Sequence, residues 1–334
     1  MGRHSIGIIS PAAPQGNSGN ARTAERWSRM LAPHFQVAVR QHWSGEPLDL
    51  MIALHARRSA ASIAAWKRTR RGDATGALAP PDAAPLIVVL TGTDLYRDIL
   101  VDAGAQRSLN LADTLVVLQD RGPLALPAAL RGKARVIYQS TAGRQRMPKT
   151  RRRLHALMVA HLRREKSPGT LIEAARRLRD RPDIRIDLVG ATLEPDLGAR
   201  ARAAAGQCPA FHWTGALEHH ATMRRIQRAH VLVNCSRIEG GAHVVLEAVR
   251  CGTPVLASRI DGNVGMLGAD YQGYFEPGDS RALAALLERC RDEPRMLAAL
   301  VRQCRARARL FDPERERRAL FELVTGLLRG DGRS

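Results

Sequence analysis

The feature of this sequence that most limits its fold is the alternation of short apolar segments with longer amphipathic ones. The segments LIVVL at Leu86–Leu90 and TLVVL at residues 114–118 are almost entirely apolar and rich in β-branched residues. Runs of this kind predict strands that are covered on both faces, as in a parallel sheet. We predict further strands at residues 6–9, 48–54, 135–138, 154–160, 184–189, 231–234 and 254–257.

Helical patterns separate these strands, at residues 21–31, 57–70, 169–179, 280–291, 294–309 and 313–328. The segment 141–153 (TAGRQRMPKTRRR) is basic and broken by Gly and Pro, which indicates an interdomain linker. Alternation on both sides of a linker predicts two doubly wound α/β domains. We place one domain at residues 1–145, a second at 146–310, and a helix at 311–334 that crosses back to the first. Such sheets bind ligands at the carboxyl ends of their strands, so we expect the site in the cleft between the domains.

The net charge of +20 could indicate a nucleic acid partner, because clustered Lys and Arg neutralise phosphates. Here the arginines are scattered, and no basic tail with interleaved aromatic residues accompanies them. We therefore expect no nucleic acid partner. The positive field suits a small anionic substrate instead.

The five cysteines are odd in number and form no C-x-x-C pair, which argues against a disulfide framework and against a zinc site. The N-terminal apolar run is too short for a signal peptide, and no segment approaches the ~18 apolar residues of a membrane span. These features predict a protein of the reducing cytoplasm with no membrane insertion.

The segment EGGAHVVLEAVRCGTPVLAS at residues 239–258 carries the most chemistry. Glu239 follows a predicted strand, and Gly240 and Gly241 let the backbone approach a ligand closely. A helix that starts near Ala242 directs its free N–H groups at the site, where they attract phosphate or hydroxyl oxygens. Glu247 follows His243 by four residues, so the two side chains lie on the same face of this helix.

This segment resembles the donor signature of family 4 glycosyltransferases, in which two glutamates are arranged as E-x7-E. The resemblance implies the GT-B architecture, with two Rossmann-like domains facing a central cleft. It also implies that Glu247 holds the ribose of a sugar nucleotide, and that Glu239 and the backbone of Gly241, Ala242 and His243 hold the sugar. Ser236 is expected near the ribose or the phosphates.

A second match is the segment VAHLRREKSPGTLIEAARRL, residues 159–178. Family members carry an Arg, then a Lys five residues later, and both bind the diphosphate. Lys166 matches the lysine, but His161 stands at the arginine position, so Arg163 or Arg164 is expected to supply the missing charge. Fixed cations stabilise the negative charge that develops on a departing nucleoside diphosphate. We assign catalytic roles to Lys166, Glu239 and Arg163.

The loop after the first predicted strand, SPAAPQGNSGNARTAERW, contains Gly16, Gly19 and two asparagines, a composition suited to phosphate. It resembles the glycine-rich first loop of the same superfamily, which approaches the donor. The complete set of predicted donor-binding residues is Gly19, Asn20, His161, Arg164, Ser236, Gly240, Gly241, Ala242, His243 and Glu247.

Several strings outside these motifs resemble the selenosugar synthase family of selenoneine biosynthesis. They are GNxxTAxRW (19–27), LHARRSAAS (54–62), LTGTDLYRDI (90–99), LVVLQ (115–119), VIYQS (136–140) and HLRREKSP (161–168). The resemblance implies transfer of a sugar from a UDP-sugar, such as UDP-N-acetylglucosamine, to selenophosphate, with release of UDP and phosphate. Selenium is already a good nucleophile, so a strong general base is less necessary than for a hydroxyl acceptor.

Selenophosphate is a small, multiply charged anion, so its pocket should be basic and rich in hydrogen-bond donors. The predicted acceptor-binding residues are Arg22, Thr23, Arg57, Arg58, Thr91, Thr93, Asp94, Gln139 and Ser140. The sequence shows no D-x-D metal motif, so we expect transfer without a metal or another cofactor.

Three alternatives stay open at this point. The chain could be a conventional family 4 glycosyltransferase that acts on a hydroxyl group of a glycan or lipid. It could be a sugar-nucleotide epimerase of the same two-domain architecture, or a basic nucleic-acid-binding protein. The second glutamate and the glycines at the helix start argue against the last. The donor sugar, the anomeric outcome and the oligomeric state are likewise open.

Overall fold

The computed structural model describes residues 2–12, 19–69 and 84–330. The chain divides into two compact units. Unit 1 comprises Met1–Gln139 and Pro313–Ser334, and unit 2 comprises Ser140–Asp312.

The strands among the described residues are β1 (Ser5–Ile9), β2 (Gln36–Arg40), β3 (Leu50–Leu54), β4 (Leu86–Leu90), β5 (Thr114–Val117), β6 (Ala134–Val136), β7 (Leu154–Val159), β8 (Ile184–Val189), β9 (Phe211–Trp213), β10 (Val231–Asn234), β11 (Val255–Ser258) and β12 (Tyr274–Phe275).

The α-helices of the same residues are α1 (Gly19–Leu31), α2 (Ala60–Thr69), α3 (Ile99–Val101), α4 (Ala103–Leu111), α5 (Pro168–Arg177), α6 (Pro195–Gln207), α7 (His219–Arg228), α8 (His243–Arg250), α9 (Asp261–Leu267), α10 (Ser280–Asp292), α11 (Pro294–Arg307) and α12 (Pro313–Arg329). A π-helical turn spans Asp94–Asp98, and 3-10 turns span Gly122–Ala125, Ala128–Lys133, Arg164–Lys166 and Ala308–Phe311.

The sheet of unit 1 is parallel, with the order β2-β1-β3-β4-β5-β6. Its central register pairs Ile6 with both Val37 and Leu50. The chain moves outward from β1 to β2 and then returns to the other side of β1 for β3. The topological switch point therefore lies between the neighbouring strands β1 and β3. Sheets of this type bind ligands at such a point.

Helices cover both faces of this sheet. On one face, Met51 and Ala53 of β3 belong to a cluster with Trp66 of α2. On the other face, Leu50 and Ile52 belong to a cluster that includes Trp27 of α1 and Leu320 and Val324 of α12. This alternation is the period-two pattern of a strand buried on both sides.

The final helix α12 is fixed to α1 by a buried carboxylate. Glu316 is 1% exposed. Its Oε1 accepts hydrogen bonds from Trp27 Nε1 (2.7 Å) and Arg26 Nη2 (3.0 Å), and its Oε2 accepts one from Arg26 Nε (3.0 Å). The last helix of the chain is therefore part of unit 1, although it follows unit 2 in sequence.

The sheet of unit 2 is also parallel, with the order β9-β8-β7-β10-β11-β12. Numbered from β7 onward, this is the 3-2-1-4-5-6 order of a Rossmann fold. Its switch point lies between β7 and β10, which are direct neighbours with Val231 paired to Ala156.

Two doubly wound parallel units confirm the fold class expected from the sequence. The strands β2, β9 and β12 were not predicted, and the sequence analysis gave no range for the helices α3, α4, α6, α7 and α9. The strand β2 is an edge strand whose residues are all exposed or half-buried, so it lacks a continuous apolar run. The helix expected at residues 57–70 starts at Ala60, because residues 55–59 form a turn in which His55 has a φ of +72°.

Candidate active site

The switch point of unit 2 brings two loops together, the one after β7 and the one after β10. The backbone N–H of Arg237 donates to the carbonyl oxygen of Glu165 (2.8 Å), which fixes the loops side by side. Next to this bond, Lys166 Nζ lies 2.5 Å from Glu239 Oε1. The side chains are 20% and 9% exposed, so this ion pair is largely protected from solvent. The structure thus brings together two residues predicted to be catalytic, from segments 73 positions apart.

A buried hydrogen-bond chain holds Glu239 from behind. Ser236 Oγ donates to Glu239 Oε1 (2.5 Å), and Ser258 Oγ donates to the carbonyl oxygen of Ser236 (2.5 Å). Asn263 Nδ2 donates to the carbonyl oxygen of Ser258 (2.9 Å). Ser258 and Asn263 are fully buried. The sequence analysis assigned no role to Asn263. The one feature that could have indicated it is the Asp-Gly-Asn string at residues 261–263, just after the donor motif.

A glycine lets α9 pack against this carboxylate. A Cβ at Gly262 would lie 2.0 Å from the carbonyl oxygen of Glu239 and 2.9 Å from its Cβ. Any larger residue at Gly262 would therefore displace Glu239. The sequence analysis missed this contact as well, because it depends on the packing of a helix that was not predicted.

The helix α8 begins where the motif predicted. Ala242 is its N-cap and supplies no side-chain cap. The first N–H groups of a helix lie outside its regular hydrogen-bond ladder, and they are suited to anionic or hydroxyl oxygens. Gly240 is buried and Gly241 half-buried at this start. One turn on, Glu247 is buried, with its Oε1 3.7 Å from His243 Nε2 and 3.9 Å from His219 Nδ1.

The cations expected beside Lys166 differ in their surroundings. His161 is half-buried, and its Nδ1 accepts a hydrogen bond from the backbone N–H of Ala191 (3.1 Å). Arg164 pairs with Glu194 (3.0 Å) while its side chain is 82% exposed. Arg163 is exposed and makes no side-chain hydrogen bond or ion pair among the described residues. Of these three residues, Arg163 would therefore break the fewest side-chain contacts if it turned toward a diphosphate.

The carboxyl edge of the unit 1 sheet is organised by Asp94. Its Oδ1 accepts hydrogen bonds from the backbone N–H groups of Thr91 (2.9 Å) and Gly92 (2.8 Å). Its Oδ2 accepts one from the N–H of Ala56 (3.0 Å). Asp94 is fully buried. This residue, predicted to bind the acceptor, ties the ends of β3 and β4 to each other.

A histidine that the sequence analysis did not select lies at the same edge. His55 follows β3, is 3% exposed, and has its Nε2 3.2 Å from Thr93 Oγ1. Burial lowers the pKa of His55, and the positive charges of Arg58 and Arg57 add to this, against the opposing effect of Asp94 and Asp98. The ring is therefore neutral at neutral pH.

The remaining residues predicted in unit 1 divide into three groups. Thr23 and Gln139 are buried and bonded to each other, with Gln139 Nε2 donating to Thr23 Oγ1 (2.6 Å). Arg57 and Arg58 are exposed, and Arg57 pairs with Asp98 (3.4 Å). Half-buried or exposed residues near the start of α1 and after β4 complete the set: Gly19, Asn20, Arg22 and Thr91.

Two predictions fall elsewhere. Gly16 and Asn17 lie in residues 13–18, outside the described residues. Ser140, predicted to bind the acceptor, is buried and is the first residue of unit 2, whereas its neighbour Gln139 is the last residue of the unit 1 segment.

A model of the protein family described as "Glycosyl transferases group 1" matches residues 141–309, half of the chain. The chain belongs to this family. The match spans all of the unit 2 site described above, from Lys166 to Asn263. It confirms at the family level the resemblance found in the donor motif. No curated protein sequence matches this group 1 glycosyltransferase significantly.

Solved structures show the same fold along nearly the whole chain. HepE of Anabaena, in a crystal structure with UDP and glucose, has 16% identity and a TM-score of 0.71, with 97% of this chain and 100% of that chain covered. Sucrose-phosphate synthase from Thermosynechococcus elongatus has 18% identity and a TM-score of 0.76, with 98% and 100% covered. The pneumococcal O-GlcNAc transferase GtfA, in complex with UDP and GlcNAc, has 16% identity and a TM-score of 0.64, with 84% and 57% covered. These likenesses confirm the GT-B fold.

Within the described ranges, no helix is long and apolar enough to cross a membrane. The same residues contain no group of three or more His, Cys, Asp or Glu that could hold a metal ion.

Proposed function

We propose that this glycosyltransferase transfers a sugar from a UDP-sugar, such as UDP-N-acetylglucosamine, to selenophosphate in selenoneine biosynthesis. The observation that carries the donor half is the contact of Lys166 with Glu239 beside the uncapped start of α8. A cation, a carboxylate and the N–H groups of a helix start at one switch point suit a diphosphate joined to a sugar. The UDP complexes of HepE and GtfA, which share the fold, support a uridine nucleotide.

In this proposal, each residue of the unit 2 site has a distinct task. Glu247 accepts hydrogen bonds from the ribose hydroxyls, and the N–H groups at Gly241, Ala242 and His243 receive oxygens of the donor. Glu239 holds sugar hydroxyls through the oxygen that Lys166 and Ser236 leave available. Lys166 and Arg163 stabilise the negative charge that develops on the diphosphate as it leaves.

The reaction then needs positioning more than proton transfer. A selenium lone pair attacks the anomeric carbon while the bond from that carbon to the UDP oxygen breaks, and the electron pair leaves with UDP. Water subsequently cleaves the P–Se bond, which releases inorganic phosphate and leaves a selenosugar. Because selenium needs no deprotonation to attack, no side chain has to act as a strong base.

The acceptor half rests on unit 1. Its switch point presents exposed Arg57 and Arg58 beside the half-buried Thr91 and Thr93. Guanidinium and hydroxyl groups are suitable donors to the oxygens of a multiply charged anion. The strings 54–62 and 90–99, which carry the resemblance to selenosugar synthases, contain these residues. We place the reaction in the cytoplasm, since all five cysteines are unpaired and buried.

The proposal is tested by following UDP release from UDP-N-acetylglucosamine with and without selenophosphate. We expect release that depends on selenophosphate, together with a product whose mass shows selenium attached to the sugar. Parallel reactions use UDP-glucose as donor, and glycan and lipid hydroxyls as acceptors. UDP release with a hydroxyl acceptor but not with selenophosphate would refute the acceptor and leave a conventional family 4 enzyme.

A further inference from the structure

We propose that His55 is a positioning residue for the acceptor, which fixes the hydroxyl of Thr93 so that its proton points toward the bound anion. This inference rests on the proposed function, in that it takes the carboxyl edge of the unit 1 sheet as the acceptor site. It adds a residue that neither donor motif contains.

His55 occupies an unusual place in the fold. It follows β3 at the switch point between β1 and β3, where parallel sheets bind ligands. Its φ of +72° lies in the left-handed region, which a residue with a Cβ disfavours. Among the described residues only one other non-glycine residue, Ser167, has a positive φ, and it adjoins Lys166. A non-glycine residue in this region persists where the surrounding structure fixes its conformation, and such residues cluster at active and ligand-binding sites.

The hydrogen bonds of the ring determine its tautomer. The backbone N–H of Arg58 donates to His55 Nδ1 (3.3 Å), and a backbone N–H can only donate. Nδ1 therefore carries no proton. Since the ring is neutral, its proton lies on Nε2, 3.2 Å from Thr93 Oγ1. The imidazole consequently donates to the hydroxyl oxygen of Thr93.

This donation has a consequence for Thr93. Its oxygen already accepts a hydrogen bond from His55 Nε2–H, so its own O–H must donate to another acceptor. Among the described residues the Thr93 hydroxyl makes no other hydrogen bond. Thr93 is half-buried, and the Asp94 network fixes the backbone on either side of it. An oxygen of a phosphate-like anion, which only accepts, is the partner that completes this arrangement.

The tautomer can be measured on the free, full-length protein. Nitrogen-15 NMR of the imidazole should show a protonated Nε2 and an unprotonated Nδ1 for His55, with a shift of the Nε2 signal in the Thr93→Val variant. A protonated Nδ1 in the wild-type protein would overturn the proposal. This measurement needs no substrate, so it tests the hydrogen bond from His55 to Thr93 independently of whether selenophosphate is the acceptor.

Kinetics test the link to the acceptor. His55→Asn keeps a residue that tolerates the left-handed region but is too short to reach Thr93. We expect both His55→Asn and Thr93→Val to raise the KM for selenophosphate about 10-fold, the size expected for one hydrogen bond to a charged group. Thr93→Ser should restore the wild-type value, and UDP binding should not change in any variant.

The double variant separates positioning from independent effects. If His55 acts through Thr93, His55→Asn adds little to the KM of Thr93→Val. If the KM increases of the two single variants multiply in the double variant, the proposal is contradicted. A loss of UDP binding in His55→Asn would contradict it as well. A wild-type enzyme that ignores selenophosphate would refute the proposed acceptor alone.

Discussion

The carboxylate of Glu316 offers a prediction whose size follows from the structure. Its side chain is fully buried, and the side chain of its partner Arg26 is 13% exposed. Replacement by Ala removes the hydrogen bonds of this carboxylate and leaves the Arg26 guanidinium and the Trp27 N–H without their acceptor. Breaking a buried ion pair in this way costs about 3–5 kcal/mol of unfolding free energy. For a unit of this size, that corresponds to a fall in Tm of roughly 6–20 °C.

The assay is thermal unfolding followed by circular dichroism, with Glu322→Ala as the matched control. Glu322 lies on the same helix and is exposed, so its removal should change stability by less than about 0.5 kcal/mol. Equal Tm values for the two variants would refute the conclusion that Glu316 secures α12 to α1. A double variant with Arg26→Met should be less destabilised than the sum of the single changes, because the partners interact directly.

Two further predictions concern unit 2. Burial alone would raise the pKa of Asp187, but hydrogen bonds from His155 and Arg185 hold this pKa below its usual range. The ionised form therefore stabilises the fold above the unfolded pKa of about 3.9, and this contribution is lost as the pH falls through the folded pKa. Asp187→Asn should thus lower the Tm at pH 7 and differ less from the wild type below about pH 4; a gap that widens in acid would contradict this. Gly262→Ala should weaken UDP-sugar binding about 10-fold, because it displaces Glu239 and costs a hydrogen bond to a charged group. Gly206→Ala, with open space at its Cβ, should bind normally in the same titration, and equal affinities of the two variants would contradict the role of Glu239.

The sequence located most of the framework, and its failures have physical causes. Runs such as LIVVL are continuous because both faces of the strand are buried, and the structure has the strand at Leu86–Leu90 as predicted. The strand Tyr274–Phe275 has two residues and no such run. It forms because β11 offers it an edge, pairing Ala257 with Tyr274. That tertiary pairing leaves little trace in a local pattern.

The two halves of the candidate site differ in the same way. In unit 2, residues 239–247 lie on one loop and the helix that follows it, so a local motif was enough to select them. In unit 1, His55 comes from one segment and the adjacent Thr93 and Asp94 come from another, and they meet at one edge. His55 was missed because its φ of +72° and its contact with Thr93 exist only in the folded chain.

The central claim is that the switch point of unit 2 holds a uridine diphosphate through Lys166. Titration of UDP into the wild type, Lys166→Ala and Arg176→Ala by calorimetry tests it most directly. Arg176 is a control because it pairs with Glu173 on an exposed face of α5. Loss of a charged hydrogen bond predicts about 10- to 100-fold weaker binding of UDP by Lys166→Ala, with Arg176→Ala unchanged. Wild-type affinity in Lys166→Ala, or no UDP binding by the wild type, would contradict the account.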